Sequence, residues 1–237
     1  MQPLPSPATQ AERLVALGVH ELAGLSPAAL RDAAAAAGPR EGALLVVHPA
    51  LAPASRLVPL VEREGRQAFL VVDMADVDSF TPIEQATPPA GQVYLVEAVD
   101  RGDDLLDWSP DEALPELTAR GRTPLTLTEG LHWLLQEPAA LARNRCFMTI
   151  GSRLRKADGR LDTRTPALWL SNGTGRDGKE RRGAPKAGWC WAGNRHTWLG
   201  FASAAGRTAL TTAQDAGASP ATATSGTSLR TPAAASA

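Results

Sequence analysis

Apolar residues recur at helical spacing from Ala8 to Leu17, and the spacing predicts a first helix there. Ser26-Pro27 opens a second helix, because serine caps free N–H groups and proline fits the first turn. Its alanine run stops at Gly38-Pro39. The pattern then shortens into apolar runs rich in β-branched residues, Ala43–Val47, Ala68–Asp73 and Val93–Val96, which read as strands. Ser109-Pro110-Asp111-Glu112 is a capping box for a helix running to about Arg120. Thr128 is expected to cap a fourth helix, with Leu131, Leu134 and Leu135 on one face and Pro138 limiting it. Cys146–Ile150 and Ala167–Leu170 read as two more strands.

Helices and strands therefore come in blocks instead of in strict β-α-β alternation. That order predicts an α+β domain over residues 1–208, with a mixed or antiparallel sheet and about four helices. From 209 to 237 the composition turns to Ala, Thr, Ser, Gly and Pro, too little apolar surface to offset ordering entropy, so a disordered tail is expected.

Composition narrows the function classes. Hydrophobic residues make up 43% and charged residues 21%, values of an ordinary globular chain with its own core. The net charge of -1 gives no electrostatic footprint, so neither nucleic acid nor a membrane surface is an expected partner. The two cysteines, Cys146 and Cys190, do not make a disulfide framework and read as reduced thiols. The N-terminus has neither the basic region nor the apolar core of a signal peptide, so cytoplasmic residence is the expectation. Only Lys156, Lys179 and Lys186 among the 24 basic residues are lysine, a bias that suggests a GC-rich bacterial genome.

The densest chemistry lies between Gly188 and Arg207. Trp189, Trp191 and Trp198, half of the six tryptophans, fall there. Gly193-Asn194 suits a two-residue hairpin turn. A hairpin in that register pairs Trp191 with His196, Cys190 with Thr197 and Trp189 with Trp198. Alternation then gathers Trp189, Trp191, His196 and Trp198 on one face and turns Cys190 to the other. That face is either packed core, stabilised by cross-strand aromatic pairs, or the wall of a pocket with Asn194, Arg195 and His196 as polar anchors.

Three segments carry a resemblance. Cys146-Phe-Met-Thr-Ile-Gly-Ser-Arg153, Pro166-Ala-Leu-Trp-Leu-Ser171, and Ala-Pro-Lys-Ala-Gly-Trp-Cys-Trp-Ala-Gly-Asn-Arg-His-Thr-Trp-Leu-Gly from Ala184 to Gly200 resemble an uncharacterised actinobacterial family, a domain of unknown function. The likeness covers most of residues 10–207. Against it, Asn172–Gly183 reads as an inserted loop. The resemblance implies a bacterial cytoplasmic domain and no particular activity.

Most catalytic readings fail on residue type or spacing. A Cys190–His196 nucleophile pair needs the two side chains together, and the hairpin register parts them. Cys146, Cys190 and His196 with His20, His48 or His132 lack the short paired spacing of zinc sites. Gly173–Lys179 resembles a phosphate loop, but Glu180 stands where Ser or Thr would hold magnesium, and Gly183 and Pro185 prevent the following helix. Five basic residues, Arg176, Lys179, Arg181, Arg182 and Lys186, against Asp177 and Glu180 make this a solvated loop of local charge +3, or an anion-binding or docking loop. The acidic groups Asp73, Asp76, Asp78 and Asp100, Asp103, Asp104, Asp107 read first as turn and cap residues. Asn172-Gly173-Thr174 matches a glycosylation sequon, which carries no meaning in a cytoplasmic chain. No cofactor or metal is expected. The leading expectation is a binding or interaction domain with its site at Trp189, Trp191, Asn194, Arg195, His196 and Trp198. The alternative is a hydrolase or transferase using His196 as general base with an aspartate partner.

Overall fold

A computed structural model of the chain describes residues 3–210. It is an α+β structure with two main sheets and three two-stranded ribbons. Four of its helices are long: Pro7–Ala16, Pro27–Ala37, Pro110–Ala119 and Leu127–Gln136. Each starts on a hydroxyl side chain that accepts a first-turn N–H. Ser6 takes Thr9 N–H, Ser26 takes Ala29 N–H and Ser109 takes Glu112 N–H. The fourth starts two residues before the expected cap. Thr126, not Thr128, accepts from Glu129 N–H, and the Glu129 side chain returns the bond to Thr126 N–H. Thr126 with Glu129 has the capping-box spacing, and that reciprocal pair outcompetes a lone threonine.

The first sheet is antiparallel, in the order Leu44–Val47, Val93–Glu97, Gly206–Leu210. Its edge strand Leu44–Val47 is buried at every residue, so its outward backbone groups need partners. Helix side chains supply them. Gln10 Nε2 donates to Ala43 O at 2.6 Å, and Leu45 N–H donates to Gln10 Oε1 at 2.8 Å. Val47 N–H donates to His132 Nε2 at 3.2 Å. The His132 Nδ1 proton then goes to Thr128 O at 2.9 Å. Burial pushes the His132 pKa down to about 4, so the ring is a neutral strut, fully enclosed. Ala209 and Leu210, counted with the tail in the sequence, complete the last strand; residues 211–237, the rest of that segment, lie outside the described residues.

The second sheet has five strands in the order Leu199–Phe201, Cys146–Met148, Arg164–Leu170, Pro185–Trp191, Phe69–Leu70. The central pairs are antiparallel and both outer pairs are parallel. The run Ala68–Asp73 contributes only Phe69–Leu70 to it, because the chain turns into a 3-10 turn at Val72–Met74. The Leu127–Gln136 helix, buried at every residue, packs on both sheets. Gly130 makes that approach possible, since a Cβ there would stand 2.6 Å from Thr149 Cγ2 and 2.9 Å from Leu168 Cδ1. Trp133 stacks on Phe147 with centroids 4.9 Å apart. Glu129, enclosed in this layer, accepts from Tyr94 Oη at 3.0 Å and takes Arg207 in a bidentate pair at 2.6 and 2.8 Å. No helix among the described residues is long and apolar enough to cross a membrane.

Candidate functional site

The tryptophan-rich stretch does not form the expected hairpin. Strand Pro185–Trp191 pairs with Arg164–Leu170, setting Trp191 opposite Arg164, Cys190 opposite Thr165 and Trp189 opposite Pro166. After Trp191 the chain leaves the sheet. Ala192 N–H donates to Thr163 O, Asp111 N–H to Ala192 O and Asp107 N–H to His196 O. Arg195 joins Glu112 in the first turn of the Pro110–Ala119 helix and donates to Asp107 O. These anchors carry the loop across the end of the sheet to Leu199–Phe201, a parallel neighbour of Cys146–Met148. Two strands therefore stand between the arms that a Gly193-Asn194 hairpin would have paired. The turn residues suited a hairpin, but Arg195 and the strand pairings formed longer-range contacts.

The site residues consequently fall into two groups. Trp189 and Trp191 pack edge to face with centroids 4.5 Å apart. His196 instead lies against Trp198 at 5.4 Å, and Trp198 against Trp169 at 6.4 Å. Asn194 and Arg195 are exposed on the loop between the two groups. Trp198 and Trp169 border a cavity of about 210 Å³ that also touches Asn144, which has the left-handed φ of 60°.

Trp189 borders a groove of about 470 Å³ at the sheet edge, together with Trp169, Phe69, Val72, Arg176 and Arg181. The basic loop Asn172–Gly183 folds against this edge as two 3-10 turns, Gly175–Asp177 and Lys179–Arg181. Arg176 pairs with Asp73, and Lys186 pairs with Asp177 while lying over the Trp169 ring. Burial opposes the Asp177 charge, yet bonds from Lys186 and Ser171 hold its carboxyl below the usual range. Arg181 lies over Phe69 at 4.4 Å and, like Arg182, has no carboxylate partner among the described residues.

The backbone at this edge is also open. Val71 N–H donates to Ala187 O on the outer side, whereas Ala192 N–H donates to Thr163 O on the inner side. Strand alternation therefore turns the backbone groups of Ala187, Trp189 and Trp191 outward. The neighbouring strand matches only Lys186 and Ala187 before it turns away. Among the described residues the amides of Trp189 and Trp191 have no backbone partner. The indole Nε1 of Trp189 donates to Asp73 O at 3.3 Å and fixes that ring.

The residues of the acid–base reading are dispersed. Among the described residues His196 has no hydrogen-bonded carboxylate and its buried Nε2 has no partner, and burial lowers its pKa. Burial pushes the thiols of Cys146 and Cys190 up to about 11, away from the reactive thiolate. Asp76 forms a bidentate pair with Arg164, Asp78 accepts from Ser55, Asp103 pairs with Arg101 and Asp104 with Arg120. Among the described residues no three His, Cys, Asp or Glu side chains are gathered to hold a metal.

A further cavity, about 290 Å³, opens at the start of the Leu127–Gln136 helix and is lined by His48, Asp78, Thr128 and Ser152. In the sequence His48 stands only among the candidate zinc ligands. Four segments distant in the chain build this cavity, so no local motif points to it. The nearest signal was the Thr126–Glu129 capping box, which marks the helix start at its floor.

Fold and edge together define an α+β protein with an open, aromatic and cationic sheet margin. The chain belongs to a family of unknown function, DUF5701, whose model matches residues 13–210. Comparison with curated proteins and with solved structures finds no match.

Proposed function

We propose that this chain is a protein-interaction domain that receives an extended, acidic segment of a partner along the edge of strand Pro185–Trp191. The observation carrying this reading is the coincidence of exposed apolar and unpaired polar groups. Val72, 71% exposed, and Trp191, 47% exposed, are the large apolar side chains left most open, and both lie at this margin beside the outward amides of Trp189 and Trp191. An open edge strand is a template for one more strand, and soluble chains ordinarily blunt such an edge. Backbone bonds would supply affinity, and the tryptophans with Arg181 would select alternating apolar and acidic residues. Within the sequence-derived site, Trp189 and Trp191 are the docking residues of this reading. Arg195 serves to anchor the loop, and His196 and Trp198 belong to the neighbouring cavity. A cytoplasmic, actinobacterial setting suits the lysine-poor composition and the free thiols Cys146 and Cys190.

Selection from a library of short random peptides displayed on phage tests the proposal. Recovered peptides should alternate apolar and acidic residues and lose binding to Trp191→Ser. Recovery of no consensus, or of one indifferent to Trp191→Ser, would overturn it.

A further inference from the structure

The first turn of the Leu127–Gln136 helix has four N–H groups in need of acceptors. Thr126 N–H donates to Glu129 Oε2 at 2.7 Å, Leu127 N–H to Ser152 Oγ at 2.9 Å and Glu129 N–H to Thr126 Oγ1 at 3.2 Å. Thr128 N–H alone has no partner among the described residues. Thr128 is 6% exposed, its hydroxyl is likewise unpartnered, and it lines the cavity of about 290 Å³. Ser152, which accepts from Leu127, keeps its own hydroxyl proton free on the same wall. His48 Nδ1 accepts from Ala50 N–H at 3.2 Å, which leaves Nε2–H as a donor, and burial lowers the His48 pKa so the ring is neutral. The cavity wall thus holds unused donors beside a positive helix terminus, the kind of groups that receive an anion.

The rest of the lining has a different chemistry. Phe80, Val77, Leu127 and four prolines make it mostly apolar. Asp78 is its acidic residue, exposed, with Oδ1 and Oδ2 accepting from Ser55 N–H and Ser55 Oγ. Each carboxylate oxygen retains a lone pair for a further donor. An isolated anion would meet repulsion from Asp78, whereas a molecule with an ammonium group beside its carboxylate offers a partner to the donors and to Asp78 alike. We infer that this cavity is a binding site for a small aliphatic α-amino acid. The carboxylate would sit at Thr128, Ser152 and His48, the ammonium at Asp78, and the side chain against Phe80 and the prolines. The volume lies at the lower end of the range for small-molecule pockets, which restricts the ligand to this size. The site is separate from the strand edge and does not depend on it.

Amide NMR spectra of the full chain, titrated separately with valine, isovalerate and isobutylamine, test the inference. Valine should shift the Thr128 amide saturably. Isovalerate and isobutylamine, each lacking one charge, should bind about tenfold more weakly. Thr128→Val, which deletes the hydroxyl, and Asp78→Asn, a surface change that spares the core, should each weaken valine by about tenfold. The same spectra report whether each variant is folded. An unmoved Thr128 amide, equal binding of valine and isovalerate, or undiminished valine binding by Asp78→Asn would overturn the inference.

Discussion

The start of the Leu127–Gln136 helix and the end of the Pro185–Trp191 strand treat polar and aromatic groups in opposite ways. Around the helix, Glu129 is fully enclosed, yet its oxygens take Arg207, Tyr94 and the Thr126 amide. Gln10 and His132 likewise close the edge of Leu44–Val47. At the strand, an indole stands exposed and, among the described residues, the amides beside it are unpaired and Arg181 lacks a carboxylate. Buried polar groups with complete partners specify architecture. Exposed apolar surface beside an unpaired edge has no such role in the isolated chain and is instead available to a partner. The contrast separates residues that hold the fold from residues that are free to serve another purpose.

The largest test of that division is Glu129→Ala. It leaves Arg207 buried without its counter-charge and should cost about 3–5 kcal/mol in denaturant unfolding. The second is pH. His132 has a folded pKa of about 4 against 6.5 for the free side chain. Its neutral form is therefore the one folding favours. Its contribution is fully present above pH 6.5 and is lost as pH falls toward 4, a change of about 3 kcal/mol. Unfolding curves across that window should show the loss, and His132→Asn should flatten it from a lower starting stability. Gly130→Ala comes third. Alanine gains about 1 kcal/mol of helix propensity, but its methyl meets Thr149 and Leu168, so a net loss of about 1–2 kcal/mol is expected. The smallest effect belongs to Trp191→Ser, within about 0.5 kcal/mol of the parent in the same unfolding assay. A large loss there would make Trp191 part of the architecture and erase the contrast.

Local signals foretold local structure. Ser26-Pro27 and the Ser109 capping box placed two helices, and the run Ala43–Val47 placed a buried strand, because each depends on neighbours a few residues away. The α+β class followed from their order. Ala209 and Leu210 were lost to the tail because they join a strand only by pairing with Tyr94 and Val93. The full enclosure of His132 was not legible in its neighbours. Its enclosure depends on Val47, 85 positions away. The concentration of chemistry near Trp189 was legible, but its geometry was not. A two-residue turn signal at Gly193-Asn194 has no knowledge of Glu112, which holds Arg195, or of the strands that intervene. The cavity at Thr128 was invisible for the same reason.

Amide hydrogen exchange in the free chain reads the state of the strand edge most directly, residue by residue. Gly188 and Cys190, turned inward to Arg164–Leu170, should be protected, while Trp189 and Trp191 between and beside them should exchange rapidly. An alternating record of that kind is the prediction. Uniform protection from Gly188 to Trp191 would mean that the edge is already closed, and would contradict a docking role for it.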